Sequence, residues 1–264
     1  MKRQYYPLIL CALCLSVRLT AQQMPVLPVM EAADSAASVA AERIAREVAA
    51  LTNAQRAAVG LPPLKLQKNL LVSARWLARD MAEKNYFSHT DKQGRDIDPR
   101  LPACGYRRYH GIGENIAAGQ ENPADAMTEW MKSPGHRENI LSRDYNEIGV
   151  GYCFSTDSKF QRYWVQDFGS RYNVFPVVIN GEEADTKTLL VHLYIYGAGW
   201  AQQMRLSNDG KTWSEWETYV PVRDWNLQEG SGERVVYAEL KNSEGIVRAD
   251  KDSINLLPQS ASKN

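Results

Sequence analysis

Residues 147–170, "EIGVGYCFSTDSKFQRYWVQDFGS", contain two runs in which apolar side chains occupy alternate positions. In the first run these include Ile148, Val150 and Tyr152, and the second run begins after the polar stretch 156–159. Alternation with a period of two is typical of a strand that packs one face against a core. The polar stretch has the composition of a turn, so the sequence predicts a β-hairpin here.

Helical patterns precede this hairpin. One run of apolar residues at helical spacing stops at Gly60, a residue type common just after a helix, and a second covers about residues 67–85. A third helix is predicted to begin at Asn122, whose side chain can cap it, and to end at Pro134. Helices followed by paired strands predict an α+β layered domain over residues 37–171.

The pattern changes after Tyr172 to short β-rich runs separated by turn sequences such as "SNDGK" and "NSEG". Residues 173–258 are therefore predicted to form a small all-β sandwich, immunoglobulin-like or fibronectin-like in appearance, and residues 259–264 a disordered tail. The four tryptophans of this region are interpreted as sheet-packing residues, with stacking of an exposed pair on sugars as the alternative. They are Trp200, Trp213, Trp216 and Trp225.

The N-terminus has a basic start, an apolar run too short to span a bilayer, and small residues near position 21. This pattern predicts a secretory signal peptide over residues 1–21, followed by a flexible lead-in over 22–36. No later run is apolar enough to span a membrane, so we expect an exported protein, either extracellular or periplasmic. The chain has 31 basic and 31 acidic residues, a balance that gives no electrostatic reason to expect nucleic acid as a partner.

Two cysteines, Cys104 and Cys153, follow the predicted signal peptide. An even number of cysteines in an exported chain favours a disulfide between them over two buried free thiols. We therefore expect a disulfide and no catalytic thiol.

Six stretches between residues 40 and 170 together resemble the CAP superfamily, or SCP domain, which includes cysteine-rich secretory proteins, antigen 5 and pathogenesis-related proteins. The stretches are "NAQRAAVGLPPL", "ARWLARDMAEKNYFSHTD", "GENIAAG", "EWMKSPGHRENIL", "EIGVGY" and "YWVQDFG". The form "SPGHRENIL" is similar to the bacterial branch. The resemblance implies an α-β-α sandwich around an antiparallel sheet. The region after it resembles β-sandwich modules appended to bacterial surface proteins.

The resemblance also implies a cavity lined by two histidines and two acidic residues. By position these are His89, Glu114 and His136, while Ser133 stands where the eukaryotic branch has its second acid. Glu129 lies one helical turn before Ser133 on the same face, so it is a candidate replacement for that acid.

Two neutral imidazoles, here His89 and His136, can bind Zn²⁺ or another divalent metal, and two protein ligands predict weak binding. Glu114, the candidate catalytic residue, could orient a ring N–H or accept a proton. The alternative is that all three are structural hydrogen-bonding groups of a glycine-rich segment.

The expected function is binding or interaction rather than catalysis. The cavity would hold a small ligand or lipid, and the β-sandwich a protein or glycan surface partner. The alternative is a metal-dependent, protease-like hydrolase that uses His89, His136 and Glu114. No local nucleophile or zinc-protease motif occurs in the sequence to favour this alternative.

Overall fold

The computed structural model describes residues 36–258. The predicted signal peptide, residues 22–35 of the predicted lead-in and the predicted tail lie outside this range. The elements of the first region are α1 (Ala36–Ala57), β1 (Lys65–Leu66), α2 (Lys68–Glu83), α3 (Ile97–Ala103), β2 (Tyr109–Ala118), α4 (Pro123–Lys132), α5 (Pro134–Ile140), β3 (Glu147–Phe154) and β4 (Arg162–Arg171). Those of the second are β5 (Val177–Ile179), a 3₁₀ turn (Asn180–Glu182), β6 (Asp185–Thr186), β7 (Leu190–Ile195), β8 (Gln203–Ser207), β9 (Glu217–Thr218), β10 (Val222–Asn226), β11 (Gly232–Lys241) and β12 (Val247–Leu256).

The predicted hairpin is confirmed as β3 and β4, which pair antiparallel from Glu147 opposite Gly169 to Phe154 opposite Arg162. They form the centre of a four-stranded sheet in the order β1-β3-β4-β2. Helix α2 lies directly against β3, because a Cβ added at Gly149 would come within 2.1 Å of the backbone of Leu70. Only glycine permits this close approach of helix and strand.

Helices cover both faces of the sheet. Side chains of α1, α4 and α5 pack against one face, where Trp130 and Trp164 are buried. Helix α2 packs against the other face, which carries Tyr163 and Val165. The predicted α-β-α sandwich is therefore confirmed, and each face of the sheet buries its own apolar cluster.

Strand β2 contains the "GENIAA" stretch, which the sequence pattern did not identify as a strand. It is an edge strand paired with β4, with a register shift near Gly111. A Cβ at Gly113 would lie 2.5 Å from the Tyr145 hydroxyl, so the glycine lets that ring pack against the strand. Burial of successive residues Glu114, Asn115 and Ile116 removes the alternation from which a half-buried strand is normally predicted.

Two helices differ from the prediction. Pro134 does not end the helical region but begins α5, where a proline in the first turn loses no intrahelical hydrogen bond. Helix α3 was not predicted, since its sequence "IDPRLPA" contains two prolines and is only seven residues long. It begins with a cap at Asp96, whose side chain accepts from the N–H of Asp98.

The prediction of a disulfide is wrong, because Cys104 and Cys153 are free thiols. Cys104 ends α3 near Asp167, which is paired with Gly149. Cys153 lies four residues farther along β3 than Gly149, a separation of about 13 Å along the strand. A disulfide requires Cα atoms within about 7 Å. Burial raises the pKa of the Cys104 thiol to about 11, so it is neutral.

The second region is a β-sandwich, as predicted. One sheet has the order β10-β7-β5 and the other β6-β12-β11-β8-β9. Their facing side chains form a core that includes Val191, Leu206 and Val236, with Trp200 and Trp225 packed at its margin. The remaining two tryptophans, Trp213 and Trp216, both stack on the Arg205 guanidinium. Among the residues described, no helix is both long and apolar enough to cross a membrane.

The two regions meet at a seam where Lys65 of β1 lies between two carboxylates, Glu182 and Asp252, which we name together the Lys65 cluster. Lys65 forms an ion pair with Asp252, and its Nζ lies 3.7 Å from Glu182 Oε1. Glu182 also accepts from the N–H of Leu66 (2.9 Å), and Asp252 from the N–H of Ile179 (2.7 Å). Each carboxylate of this cluster thus has both a charged and a backbone partner.

A left-handed turn brings Glu182 into the seam. Asn180, Gly181 and Glu182 have φ values of 44°, 64° and 72°, a conformation that costs a side-chain-bearing residue about 1–2 kcal/mol. The carbonyl of Gly181 accepts from Asn53 of α1 at 2.9 Å. Contacts with the first region therefore offset the strain of this turn and fix the relative orientation of the two regions.

Candidate binding site around His89 and Glu114

Glu114 lies on β2 directly opposite Asp167 on β4, on the sheet face that α2 covers. Two carboxylates opposite each other repel when both are charged. Arg100 of α3 lies between them: its Nη2 donates to Glu114 Oε2 and is 3.6 Å from Asp167 Oδ1. Its Nε donates to Ser73 Oγ at 3.1 Å. We name Arg100, Glu114 and Asp167 the Arg100 cluster.

Burial dominates the electrostatics of this cluster. Burial raises the pKa of Asp167 well above its ordinary value, and the charge of Arg100 opposes that shift without cancelling it. Within residues 36–258 neither carboxylate oxygen of Asp167 has a hydrogen-bond partner, and neither does Arg100 Nη1. The raised pKa favours the protonated form of Asp167, and Arg100 forms its closer ion pair with Glu114.

His89 follows α2 and contacts the outer oxygen of Glu114. The distance from His89 Nδ1 to Glu114 Oε1 is 2.8 Å, and the His89 side chain is 53% exposed whereas that of Glu114 is 4% exposed. An ionised carboxylate can only accept, so Nδ1 carries the hydrogen, and in the neutral ring Nε2 has its lone pair available. The second oxygen of Glu114 is already bound to Arg100, so the carboxylate orients the ring and is not free to act as a base.

His136 approaches from the opposite layer. It lies on α5, and its carbonyl accepts from the side chain of Asn115, which points to the face opposite that of Glu114. Because β2 is an edge strand, His89 and His136 flank the same edge of the sheet from its two faces. Partial burial, and secondarily the charge of His89, lower the pKa of His136, which favours its neutral form.

The structure places the other two predicted residues differently. Ser133 joins α4 to α5 as the cap of both helices and is half-buried. The Glu129 carboxylate pairs with Lys132 at 2.8 Å, and its side chain is 51% exposed. The Glu129 carboxylate is thus engaged with Lys132 at the surface of α4.

Sequence reasoning missed Arg100 and the role of Asp167. Asp167 alternates in phase with Tyr163 and Val165, so an acidic residue on a buried face was a detectable signal. Arg100 gave no signal, because the helix that carries it was not predicted.

The potential metal ligands near His89 and His136 are consistent only with weak metal binding. Over the described part of the chain, no group of three or more His, Cys, Asp or Glu side chains is arranged to hold a metal ion. The two imidazoles of His89 and His136 could contribute ligands, with Glu114 holding the His89 ring from behind. Arg100 lowers the net negative charge that Glu114 would otherwise offer a cation.

A family comparison concerns the first region. Residues 49–168 match the family model described as CAP, the cysteine-rich secretory protein family. The chain is 40% identical over 123 residues to the uncharacterized protein YkwD of Bacillus subtilis (strain 168), a match that covers 47% of this chain and 46% of that protein. It is 34% identical over 127 residues to the uncharacterized membrane protein YlbC of the same organism, with 48% and 34% covered.

A solved extracellular protein containing a SCP domain, from Bacillus anthracis, is 28% identical with a TM-score of 0.45 and covers 50% of this chain and 41% of its own. The chain spans less than half the length of the curated relatives YkwD and YlbC.

Proposed function

We propose, since residues 49–168 form a CAP domain, that the protein is an exported binding module whose ligand contacts the edge of β2 between His89 and His136. The supporting observation is the 2.8 Å contact between His89 Nδ1 and Glu114 Oε1, with Arg100 on the other carboxylate oxygen. This arrangement presents Nε2 of a half-exposed imidazole in one fixed orientation. Nε2 could accept a hydrogen bond from a small ligand or a lipid headgroup, or it could coordinate a divalent metal such as Zn²⁺.

Glu114 acts as a positioning group in this proposal. A carboxylate that accepts the N–H of a histidine fixes its tautomer and makes the opposite nitrogen a better donor to a metal. Arg100 holds Glu114 from below and is itself only 2% exposed. The His89 imidazole is therefore held by the buried ion pair of Glu114 and Arg100, which is shielded from solvent.

The hydrolase alternative has less support. A general base must reach the proton that it removes, and both oxygens of Glu114 are already engaged. Neither Cys104 nor Cys153 supplies a thiolate, because burial raises the pKa of both thiols. Binding without turnover is therefore the function that the geometry favours.

Calorimetric titration of the full chain with Zn²⁺ tests the proposal. We expect weak saturable binding that His89→Ala and His136→Ala each abolish. Glu114→Gln should weaken it by about 10–100-fold, the usual effect of losing the partner of a ligating histidine. His192→Ala is the matched control, because this exposed histidine pairs with Asp224 in the β-sandwich.

Hydrolysis of a casein substrate is measured on the same samples. Turnover that depends on Zn²⁺ and disappears in both His89→Ala and His136→Ala would favour the hydrolase. Unchanged Zn²⁺ binding in both variants would show that the two histidines do not form one site.

A further inference from the structure

A concave site lies at the seam between the two regions. It has a volume of about 680 Å³, which is within the range of about 300–1,000 Å³ usual for small-ligand sites. Its walls come from both regions, and we name it the seam groove. The first region contributes His110, Asn146 and Tyr172, and the following residues contribute Asn173, Tyr194 and Trp200.

Two aromatic pairs lie on the walls of the seam groove. Tyr172 packs against His110 in a tilted arrangement, with ring centroids 4.9 Å apart and ring planes at 52°, and Tyr172 is 59% exposed. Trp200 stacks on Phe175 at 4.6 Å and is half-buried at the margin of the sandwich core. In each pair the second ring supports the first, so the rings are held in place before any ligand arrives.

Polar groups with open hydrogen-bonding capacity lie beside these rings. In the described part of the chain, the side chain of Asn173 and the hydroxyl of Tyr194 have no hydrogen-bond partner. Asn146 uses only its oxygen, which accepts from Ser170 Oγ at 3.0 Å, and its amide N–H₂ is available. A planar amide and a phenol can each donate and accept. Hydroxyl groups of a ligand match this set.

The groove has little net charge. Its guanidinium, Arg171, donates to both oxygens of Glu147 at 3.0 and 2.6 Å, so its charge is already neutralised. An anionic ligand would have to compete with that bidentate pair. The groove therefore suits an uncharged ligand that combines an apolar face with hydroxyl groups.

We infer that the seam groove binds a neutral oligosaccharide, with sugar rings stacked on Tyr172 and Trp200. A pyranose ring with equatorial hydroxyls presents C–H groups on its faces, and the electron-rich face of an aromatic ring attracts them. Its hydroxyls point outward in the ring plane, where Asn146, Asn173 and Tyr194 can bond them. This inference rests on the proposed role as a binding module and specifies its glycan partner.

Both regions are needed for this site. Tyr172 and Trp200 reach the groove from different regions, and the Lys65 cluster links those regions. An isolated β-sandwich would retain Trp200 but lose the wall that the first region contributes. The full chain is accordingly the form in which binding must be measured.

Titration of the full chain with chitotetraose and cellotetraose tests the inference. Both are uncharged β-1,4-linked tetrasaccharides, and we expect saturable binding of at least one. Tyr172→Ala should weaken that binding by about tenfold, the loss of one aromatic contact. Asn173→Gly removes the amide but suits the left-handed φ of 59°, so it should weaken binding without a change in backbone.

Phe154→Ala is the matched control, because Phe154 is 50% exposed at the far end of β3. It should bind sugar like the original chain. Trp200→Ala tests the second wall, and Trp200→Phe, which keeps a ring against the core, should retain more binding. If Trp200→Ala fails to fold, the Tyr172 and Asn173 variants decide the outcome.

The inference is overturned if neither tetrasaccharide binds, or if Tyr172→Ala binds as tightly as the original chain. It is also overturned if the groove binds only hyaluronan, which is anionic, or only a proline-rich peptide. The Zn²⁺ titration separates this failure from failure of the proposed function, since that titration reads the His89 site alone.

Discussion

The Arg100 cluster and the Lys65 cluster have the same composition, one cation between two carboxylates, but different surroundings. In the Lys65 cluster, backbone N–H groups of Leu66 and Ile179 complete the hydrogen bonding of the carboxylates. In the Arg100 cluster, both oxygens of Asp167 and one nitrogen of Arg100 lack a hydrogen-bond partner within residues 36–258. The carboxylates of the Lys65 cluster thus have all their partners inside the protein, whereas the Arg100 cluster ends at the half-exposed imidazole of His89.

This difference indicates what each cluster does. Buried ion clusters rarely add stability over apolar packing, although removal of one member is strongly destabilising. A closed cluster such as that of Lys65 specifies how two regions dock. An incomplete cluster such as that of Arg100 is a cost that folding alone does not explain, and the proposed role of this cluster in positioning His89 would account for it.

The largest effect is expected from Arg100→Met. It leaves Glu114 and Asp167 facing each other in the interior without a cation, and the expected loss in free energy of unfolding is about 4–5 kcal/mol. Urea unfolding followed by circular dichroism measures it. Asp167→Asn is the matched control: because burial raises the pKa of Asp167 and so favours its protonated form, the neutral amide should cost less than about 1 kcal/mol. Equal losses in the two variants would mean that Asp167 is ionised.

Lys65→Met should have the next largest effect, about 3 kcal/mol. It is smaller because the Lys65 side chain is 13% exposed and Arg46 remains 3.3 Å from Glu182. The loss should fall on the seam, so thermal unfolding should separate into two transitions. Lys68→Met, at an exposed position of α2, is the control and should leave one transition. A single lowered transition for Lys65→Met would show that the cluster stabilises one cooperative unit.

Glu182→Gln should have the smallest effect and a distinctive pH dependence. Burial raises the pKa of Glu182 from an ordinary 4.5 to about 7. The folded chain thus holds this proton more tightly than the unfolded chain, so Glu182 makes stability fall as pH rises from about 4.5 to 7. Glu182→Gln removes this contribution of about 1–3 kcal/mol, so its urea midpoint should vary less between pH 5 and pH 7.5. A profile parallel to that of the original chain would contradict the raised pKa.

The sequence pattern correctly predicted the elements that depend on interactions between residues close together in the chain. The β3–β4 hairpin follows from alternation and a polar turn, and α4 begins where the side chain of Asn122 accepts from the N–H of Asp125. Strand β2 and helix α3 escaped prediction. The first is buried on both faces, and the second is short and rich in proline.

The candidate site was predictable in part. His89, Glu114 and His136 were identified through the family motifs, whereas the disulfide was inferred from cellular compartment alone and is not formed. The element that carries Arg100 had no recognisable local pattern. Lys65 gave no sign of its role, because its carboxylate partners lie in another region of the chain.

By itself, the sequence determined the layers, the hairpin and the sandwich, since each depends on periodicity and turn chemistry within a few neighbouring residues. Only the tertiary structure decided which charges are buried together. The pairing of Glu114 with Arg100 depends on strand register, and that of Lys65 with Glu182 on a left-handed turn at Gly181. Electrostatic partners are chosen by distance in space, and no local pattern records that distance.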